Sequence, residues 1–203
     1  NVNLHISKGA LVQFTDDHSQ YPLVRTNWEG MEAIRNQSPI SGVGLENIAV
    51  TGTGILDGAG MAWRPLKKSK VTASEWKEIV AAGGVLDEQK ETWYPTERAL
   101  LGSKMKRAGV VAEGFDEAKA LTVKEFLRPN MVSLVQCKRI LIDGPTFQNS
   151  RAWTLHPLLC THFTLKNVTV KNPSFAQNGD GVDVESTRFF RIENCVFDTG
   201  DDG

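Results

Sequence analysis

Arg139-Ile140-Leu141-Ile142-Asp143-Gly144 is one of four stretches built to a single plan. The others are Asn47-Ile48-Ala49-Val50-Thr51-Gly52, His162-Phe163-Thr164-Leu165-Lys166-Asn167 and Phe189-Phe190-Arg191-Ile192-Glu193-Asn194. Each alternates apolar and polar residues, the period-two mark of a half-buried strand, and each ends on a Gly or Asn where the backbone can turn. From Gly144 to Asn167 is 23 residues, and from Asn167 to Asn194 is 27. Further apolar positions follow every stretch: Ile55, Phe147, Val168 with Val170, and Val196 with Phe197. A third strand precedes the later ones: Val132-Ser133-Leu134-Val135, Trp153-Thr154-Leu155-His156 and Val182-Asp183-Val184. Three short strands in every 23 to 27 residues predict an all-β right-handed parallel β-helix. Each coil of such a solenoid buries its inward side chains on the coils above and below. A sandwich would call for two-residue hairpin signals, and the strands lack them.

Outward from this repeat, Leu4 to Phe14 reads as an earlier coil. An excursion follows through Asp16-Asp17, Tyr21-Pro22 and Trp28-Glu29-Gly30, with the acidic pair read as a solvated turn. From about 61 to 127 the coil pattern disappears. Thr72-Ala73-Ser74-Glu75 is a capping box ahead of Trp76, Ile79 and Val80, Gly83-Gly84 is a stop, and Thr122-Val123-Lys124-Glu125 repeats the capping signal. The stretch is therefore an inserted helical and loop segment, a lid or cleft wall, and 1–203 is part of a single parallel β-helix domain. Its tryptophans, Trp63, Trp76 and Trp93, either pack the insertion or stack on sugar faces.

A net charge of −1 gives no bulk attraction to nucleic acid or to an anionic membrane. No apolar run approaches the roughly 18 residues of a membrane span. Cys137, Cys160 and Cys195 have no CxxC spacing, so zinc is not expected and three buried thiols are. The chain starts inside a strand-like pattern at Asn1-Val2-Asn3-Leu4 and stops after an acidic pair, which reads as an internal piece of a longer protein.

Chemistry concentrates in Asn178-Gly179-Asp180-Gly181 and Thr199-Gly200-Asp201-Asp202-Gly203, with 21 residues from Asp180 to Asp201. Setting Leu155 against Val182 as inward residues puts Trp153 beside Asp180, and His156 and Asp183 together on the outward phase. Asp180, Asp201 and Asp202, with His156 and Asp183, should then gather on one face. For Asp201 and Asp202 both to reach it the backbone must bend, which Thr199-Gly200 permits. Carboxylates collected without a Cys/His cluster point to acid/base work on an uncharged leaving group such as a sugar. A calcium site built from Gly-framed aspartates is the competing reading, and turn aspartates bonding their own backbone are the bland one. Crowding predicts that at least one carboxyl holds its proton tightly, a role assigned to Asp202.

Asn178-Gly179-Asp180, Thr199-Gly200-Asp201-Asp202, Trp153-Thr154-Leu155-His156-Pro157 and Gly52-Thr53-Gly54-Ile55-Leu56-Asp57-Gly58 resemble the polygalacturonases of glycoside hydrolase family 28. The resemblance implies inverting, metal-independent hydrolysis of the α-1,4-galacturonide links of pectin, with no cofactor. Asp202 would be the general acid, and Asp180 and Asp201 would hold and deprotonate the attacking water. Asn178, His156 and Asp183 would contact a pectic polysaccharide or oligogalacturonide, and the enzyme would be secreted or periplasmic. Gly179 stands where the family commonly has Thr, and the family's later Gly-His-Gly and Arg-x-Lys motifs do not occur. The insertion, by closing one end of a groove, favours exo action. A calcium-dependent β-helical pectate lyase and a non-catalytic β-helix adhesin are the alternatives.

Overall fold

The computed structural model describes residues 2–203, the side chain of Glu113 excepted; Asn1 lies outside the described residues. The backbone turns at stacked corners. Gly52 (φ 98°), Gly144 (φ 96°), Asn167 (φ 55°) and Asn194 (φ 52°) follow one another up the solenoid in the left-handed region. Glycine and asparagine are the residues that adopt this conformation at least cost, which is the reason they recur at these corners. Gly144 has a second reason: a Cβ there would lie 2.6 Å from the carbonyl oxygen of Gly52.

In chain order the strands are β1 (Val2–His5), β2 (Leu11–Gln13), β3 (Leu23–Trp28), β4 (Met31–Asn36), β5 (Ile40–Val43), β6 (Glu46–Thr51), β7 (Ile55–Asp57) and β8 (Leu66–Lys67). Helix α1 (Ala73–Ala81) precedes β9 (Val85–Leu86) and β10 (Thr92–Tyr94), and α2 (Glu97–Ser103) and α3 (Glu117–Thr122) follow. The chain then runs through β11 (Val132–Val135), β12 (Lys138–Asp143), β13 (Thr146–Gln148), β14 (Leu155–Leu158), β15 (Thr161–Lys166), β16 (Thr169–Lys171), β17 (Arg188–Glu193) and β18 (Val196–Asp198). Three parallel sheets wrap one core, in the orders β1-β6-β12-β15-β17, β2-β7-β13-β16-β18 and β5-β11-β14. The molecule is a right-handed parallel β-helix, as the repeat predicts.

Register explains the core. Val12, Leu56, Phe147, Val170 and Phe197 stand opposite one another on successive coils, as do Leu4, Val50, Ile142, Leu165 and Ile192. Ile40, Val132, Leu155 and Val182 form the third inward column. Cys137 and Cys160 are buried in the same core and Cys195 packs against it, all three as free thiols. One strand expectation is corrected: Val182-Asp183-Val184 is not a full strand but isolated bridges at Leu155–Val182 and Leu158–Glu185. The cause lies opposite, in Pro157. The ladder runs Leu155 N–H to Gly181 O, Asp183 N–H to Leu155 O and Glu185 N–H to Pro157 O. At Pro157 there is no N–H to donate onward, and the ladder is interrupted.

Two excursions leave the solenoid through the same corner, between the β7 and β5 columns. The first is an antiparallel hairpin, β3–β4, turning at Glu29 (φ 51°) and Gly30 (φ 75°). The second spans the residues between β7 and β11 and holds three helices and the antiparallel sheet β8-β10-β9. Its capping box is present: Glu75 N–H donates to Thr72 Oγ1, and Thr72 N–H to Glu75 Oε2 at 2.8 Å. Thr122 is different. It ends α3, and the caps of α2 and α3 are Thr96 and Asp116. Asp17 is a solvated turn residue that accepts from Ser19 N–H. Hairpin and insertion share a satellite core of Ile34, Phe115, Ala120, Val123 and Leu127. Asn36 Nδ2 ties them further by donating to the carbonyls of Lys124 and Leu127.

The stacked core yields a first prediction. Phe147 is fully buried between Leu56 and Val170, so Phe147→Ala should cost about 3–5 kcal/mol in urea unfolding. The exposed Lys77→Ala should stay within about 0.5 kcal/mol of the parent. Equal midpoints for the two variants would contradict the stacking account.

Candidate active site

The corner that releases both excursions also carries the acids. Asn172, just after β16, organises the loop that leads to them. Its Oδ1 accepts from Ser150 N–H, and its Nδ2 donates to Thr154 Oγ1 and to the carbonyl of Gly179. Gly179 can be nothing larger, because a Cβ there would sit 2.8 Å from that of Ala176. Asn178 takes the left-handed conformation (φ 54°) that Asn tolerates. Asp180 is bound into the coil below through Thr154 N–H, which donates to its carbonyl. One coil further on, Thr199 Oγ1 donates to the carbonyls of Asp201 and Asp202 and holds the bend that both acids need.

The result is a cluster. One oxygen each from Asp180, Asp201 and Asp202 lies within 4.8 Å of the others. Asp201 Oδ2 accepts the Asn178 backbone N–H at 2.9 Å, so one acid is oriented by the turn that presents another. Asp180 is buried and Asp183 half-buried, and each has an oxygen, Oδ1 and Oδ2 respectively, that is shielded and unpartnered. Burial pushes the Asp180 carboxyl up to about 6, with the charges of Asp201 and Asp202 adding to it and Arg128 opposing. Burial likewise pushes Asp183 up to about 7, reinforced by Asp180, Asp202, Glu185 and Asp201. Burial and crowding thus raise the carboxyls of both Asp180 and Asp183. The three clustered oxygens could also meet around a cation, but an acidic cluster alone assigns none: calcium takes six to eight oxygens, and Asp201 already accepts a backbone hydrogen bond.

His156 departs from expectation. It occupies the outward column opposite Ser133 and Asp183, yet only 2% of it is exposed. Asn130 Nδ2, which can only donate, faces Nδ1 at 3.2 Å, so the ring proton sits on Nε2 and is donated to Glu185 Oε2 at 3.0 Å. Burial lowers the pKa of His156 against the pull of Glu185. Both nitrogens are engaged within the protein and the ring lies against Trp153 (5.1 Å between centroids), so His156 is built into the wall of the corner.

The aromatic residues beside the acids are not those of the insertion. Trp63 is buried against His18 and Tyr21, and Trp93 is buried with Nε1 donating to the Gly83 carbonyl at 2.7 Å. Trp76 is half-exposed on α1. Instead Trp28, at the hairpin tip, stacks on Trp153 (4.4 Å, 14° between planes) while the Arg35 guanidinium lies 3.5 Å over its other face. Sequence alone gave no reason to bring Trp28 here. The hairpin also walls a groove of about 500 Å³ over the outward faces of β5 and β11, lined by Asn27, Trp28, Gln37, Ser41, Asn130 and Ser133 among others.

The raised carboxyls have a thermodynamic consequence. A folded-state pKa above the unfolded value of about 3.9 favours the protonated form on folding. The contribution to stability is therefore complete below about pH 4 and is lost as pH rises through 6 and 7. Asp183→Asn should remove much of that slope and melt higher than the parent at pH 7.5, by roughly 2–4 °C. Superimposable melting temperatures of the two proteins from pH 4 to 7.5 would refute this.

With this geometry in view, the comparisons with known proteins are specific. The model of glycosyl hydrolases family 28 matches residues 68–203. A probable polygalacturonase of Vitis vinifera is 23% identical, over 98% of this chain and 31% of its own length. Exo-poly-alpha-D-galacturonosidase of Dickeya chrysanthemi is 24% identical, over 100% of this chain and 33% of its own length. Among solved structures, a hyperthermoactive exopolygalacturonase from Thermotoga maritima superposes with a TM-score of 0.67 at 27% identity, over 100% of this chain and 41% of that one. The chain spans about a third of the length of these curated relatives. A coil-by-coil β-helix, an Asp180/Asp201/Asp202 corner and a family match over most of the sequence agree, and the chain belongs to glycosyl hydrolases family 28.

Proposed function

We propose that this chain carries the acid site of a glycoside hydrolase that cleaves α-1,4-galacturonide links by inversion, without a metal or cofactor, from one end of the chain. The observation that carries the reading is the meeting of three carboxylates from neighbouring coils within 4.8 Å. Asp202 donates its proton to the glycosidic oxygen as the C–O bond breaks. Asp180 and Asp201 hold a water on the opposite face of the sugar, take its proton as it attacks, and leave the new hydroxyl with inverted configuration. Asp201 is pre-set for this by the Asn178 N–H. Asp183, protonated on the acidic side of 7, can donate a hydrogen bond to a uronate, and Asn178 frames the turn.

The spacing argues on the other side. Carboxylates about 5 Å apart usually accompany retention, and inversion usually leaves about 6.5–9.5 Å for the water. A retaining mechanism has work for two carboxylates only, and the third acid favours inversion. End-on action is supported by the hairpin, whose stacked Trp28 and tip beside Glu185 wall one flank of the acid corner. It is also supported by the Dickeya chrysanthemi and Thermotoga maritima relatives, both named as exo-acting. A polymer substrate supports a secreted or periplasmic location.

The test follows products of polygalacturonate digestion by the full-length protein. The first released sugar should be the β-anomer by proton NMR, early products should be mono- or disaccharides, and EDTA should have no effect. Asp202→Asn should lower kcat about 10²–10⁴-fold. Initial α-anomer overturns inversion, and internal oligomers overturn exo action. An unsaturated product lost on chelation would make the protein a lyase, and full activity in the Asp202→Asn variant would remove these acids from catalysis altogether.

A further inference from the structure

Arg128 has no role in the reading above, yet its side chain is buried immediately behind the acids. Its guanidinium makes three hydrogen bonds to two loops. Nη1 donates to the carbonyls of Arg151 and Gln177, both at 2.9 Å, and Nη2 donates to Asn178 Oδ1 at 2.8 Å. Asn178 in turn gives its backbone N–H to Asp201. Arg128 is itself gripped: Arg35 forks onto its carbonyl oxygen through Nε (3.0 Å) and Nη2 (2.7 Å), and Arg35 lies on Trp28. A continuous chain of contacts thus runs from the hairpin through Arg35 and Arg128 to the turn that carries Asn178 and Asp180, and on to Asp201.

This is an expensive way to fix a loop. Arg128 forms no ion pair with a carboxylate among the described residues, and Arg35 and Arg64 are near enough to be disfavoured by its charge. Burial pulls Arg35 down to about 9 and Arg128 to about 10, which still leaves both charged at neutral pH. Backbone carbonyls alone could be satisfied by a neutral amide. Among the described residues, the carboxylate set against this charge is Asp180, and the two stabilise each other.

We propose that Arg128 is the positioning residue of the acid site, fixing the Asn178–Asp180 turn from behind through its three-pronged fork and setting a positive charge behind the proposed base, Asp180. The groups facing Asp180 are Asp201 and Asp202 from the next coil's loop, Asp183 from its own segment and Arg128 from the insertion side. Arg128 is the one cation among them. The catalytic part of this proposal rests on the hydrolase reading, whereas the electrostatic part does not.

The experiment therefore has an arm independent of activity. In the full-length protein, the Asp180 carboxyl is titrated by ¹³C NMR in the parent, Arg128→Gln and Arg128→Lys. Arg128→Gln should raise the Asp180 midpoint, and Arg128→Lys should leave it close to the parent's. The acid limb of kcat/KM should move with the midpoint in Arg128→Gln. In Arg128→Lys, which keeps the charge and loses the fork, kcat should fall about 10²-fold with that limb in place. An unmoved midpoint in Arg128→Gln, or full kcat in Arg128→Lys, overturns the proposal. Should both variants fail to fold, the parent decides: its Arg128 guanidinium resonances must titrate with the Asp180 midpoint, and invariant resonances overturn it. A parent that titrates as expected but leaves galacturonan intact would refute the hydrolase reading and spare the electrostatic role.

Discussion

Everything in this molecule hangs on one coil being laid upon another in fixed register. Parallel strands of three to six residues are too short to be stable alone. They persist because every inward residue meets its counterpart on the neighbouring coil, as Leu56, Phe147 and Val170 do. Register in turn rests on corners where a side chain would strike the next backbone, as at Gly144 over Gly52. The acids inherit this order: Asp180, Asp201 and Asp202 come from loops one coil apart and are brought together by the stacking that builds the core.

The corner through which the chain departs from the solenoid is also where the chemistry is. Hairpin, insertion and acid loops all occupy it, because a connection there costs the core nothing and faces outward over the sheet. The two excursions are joined by their own satellite core and docked by buried arginines that bond backbone carbonyls. Arg64 donates to the Ser150 carbonyl and Asn149 Oδ1, and Arg151 to the carbonyls of Gly58 and Thr15. Carbonyl-bonded guanidinium groups hold irregular loops firmly where no regular ladder can.

The repeat was legible because its cause is local. Alternating side chains and Gly/Asn corners are written in consecutive residues, so β11 falls on the four residues read from sequence, and Asp180, Asp201 and Asp202 meet where the coil arithmetic puts them. What was not legible is long-range. Arg35 finds the Arg128 carbonyl 93 residues away, and Trp28 finds Trp153 across the corner. Neither pairing leaves a mark in the local pattern. His156 belongs to the outward side by alternation, which its register bears out, but alternation cannot reveal that Trp153, Asn130 and Glu185 enclose it. Pro157 is the instructive case. It is plainly visible in the sequence, and its missing N–H acts on the neighbouring coil, interrupting the ladder at Asp183 and leaving that residue outside any regular strand.

The hairpin tip carries an optical property of its own. Two indoles stacked 4.4 Å apart and nearly parallel are excitonically coupled, and a guanidinium at 3.5 Å on the outer face perturbs the excited state of one of them. Trp28 and Trp153 should therefore absorb and emit as a pair, giving a signed couplet in the ultraviolet circular dichroism that the other tryptophans do not share. Any withdrawal of the hairpin from the acid corner would uncouple them. The protein thus carries an intrinsic spectroscopic gauge of whether its hairpin is docked, readable without a label and on the timescale of the motion itself.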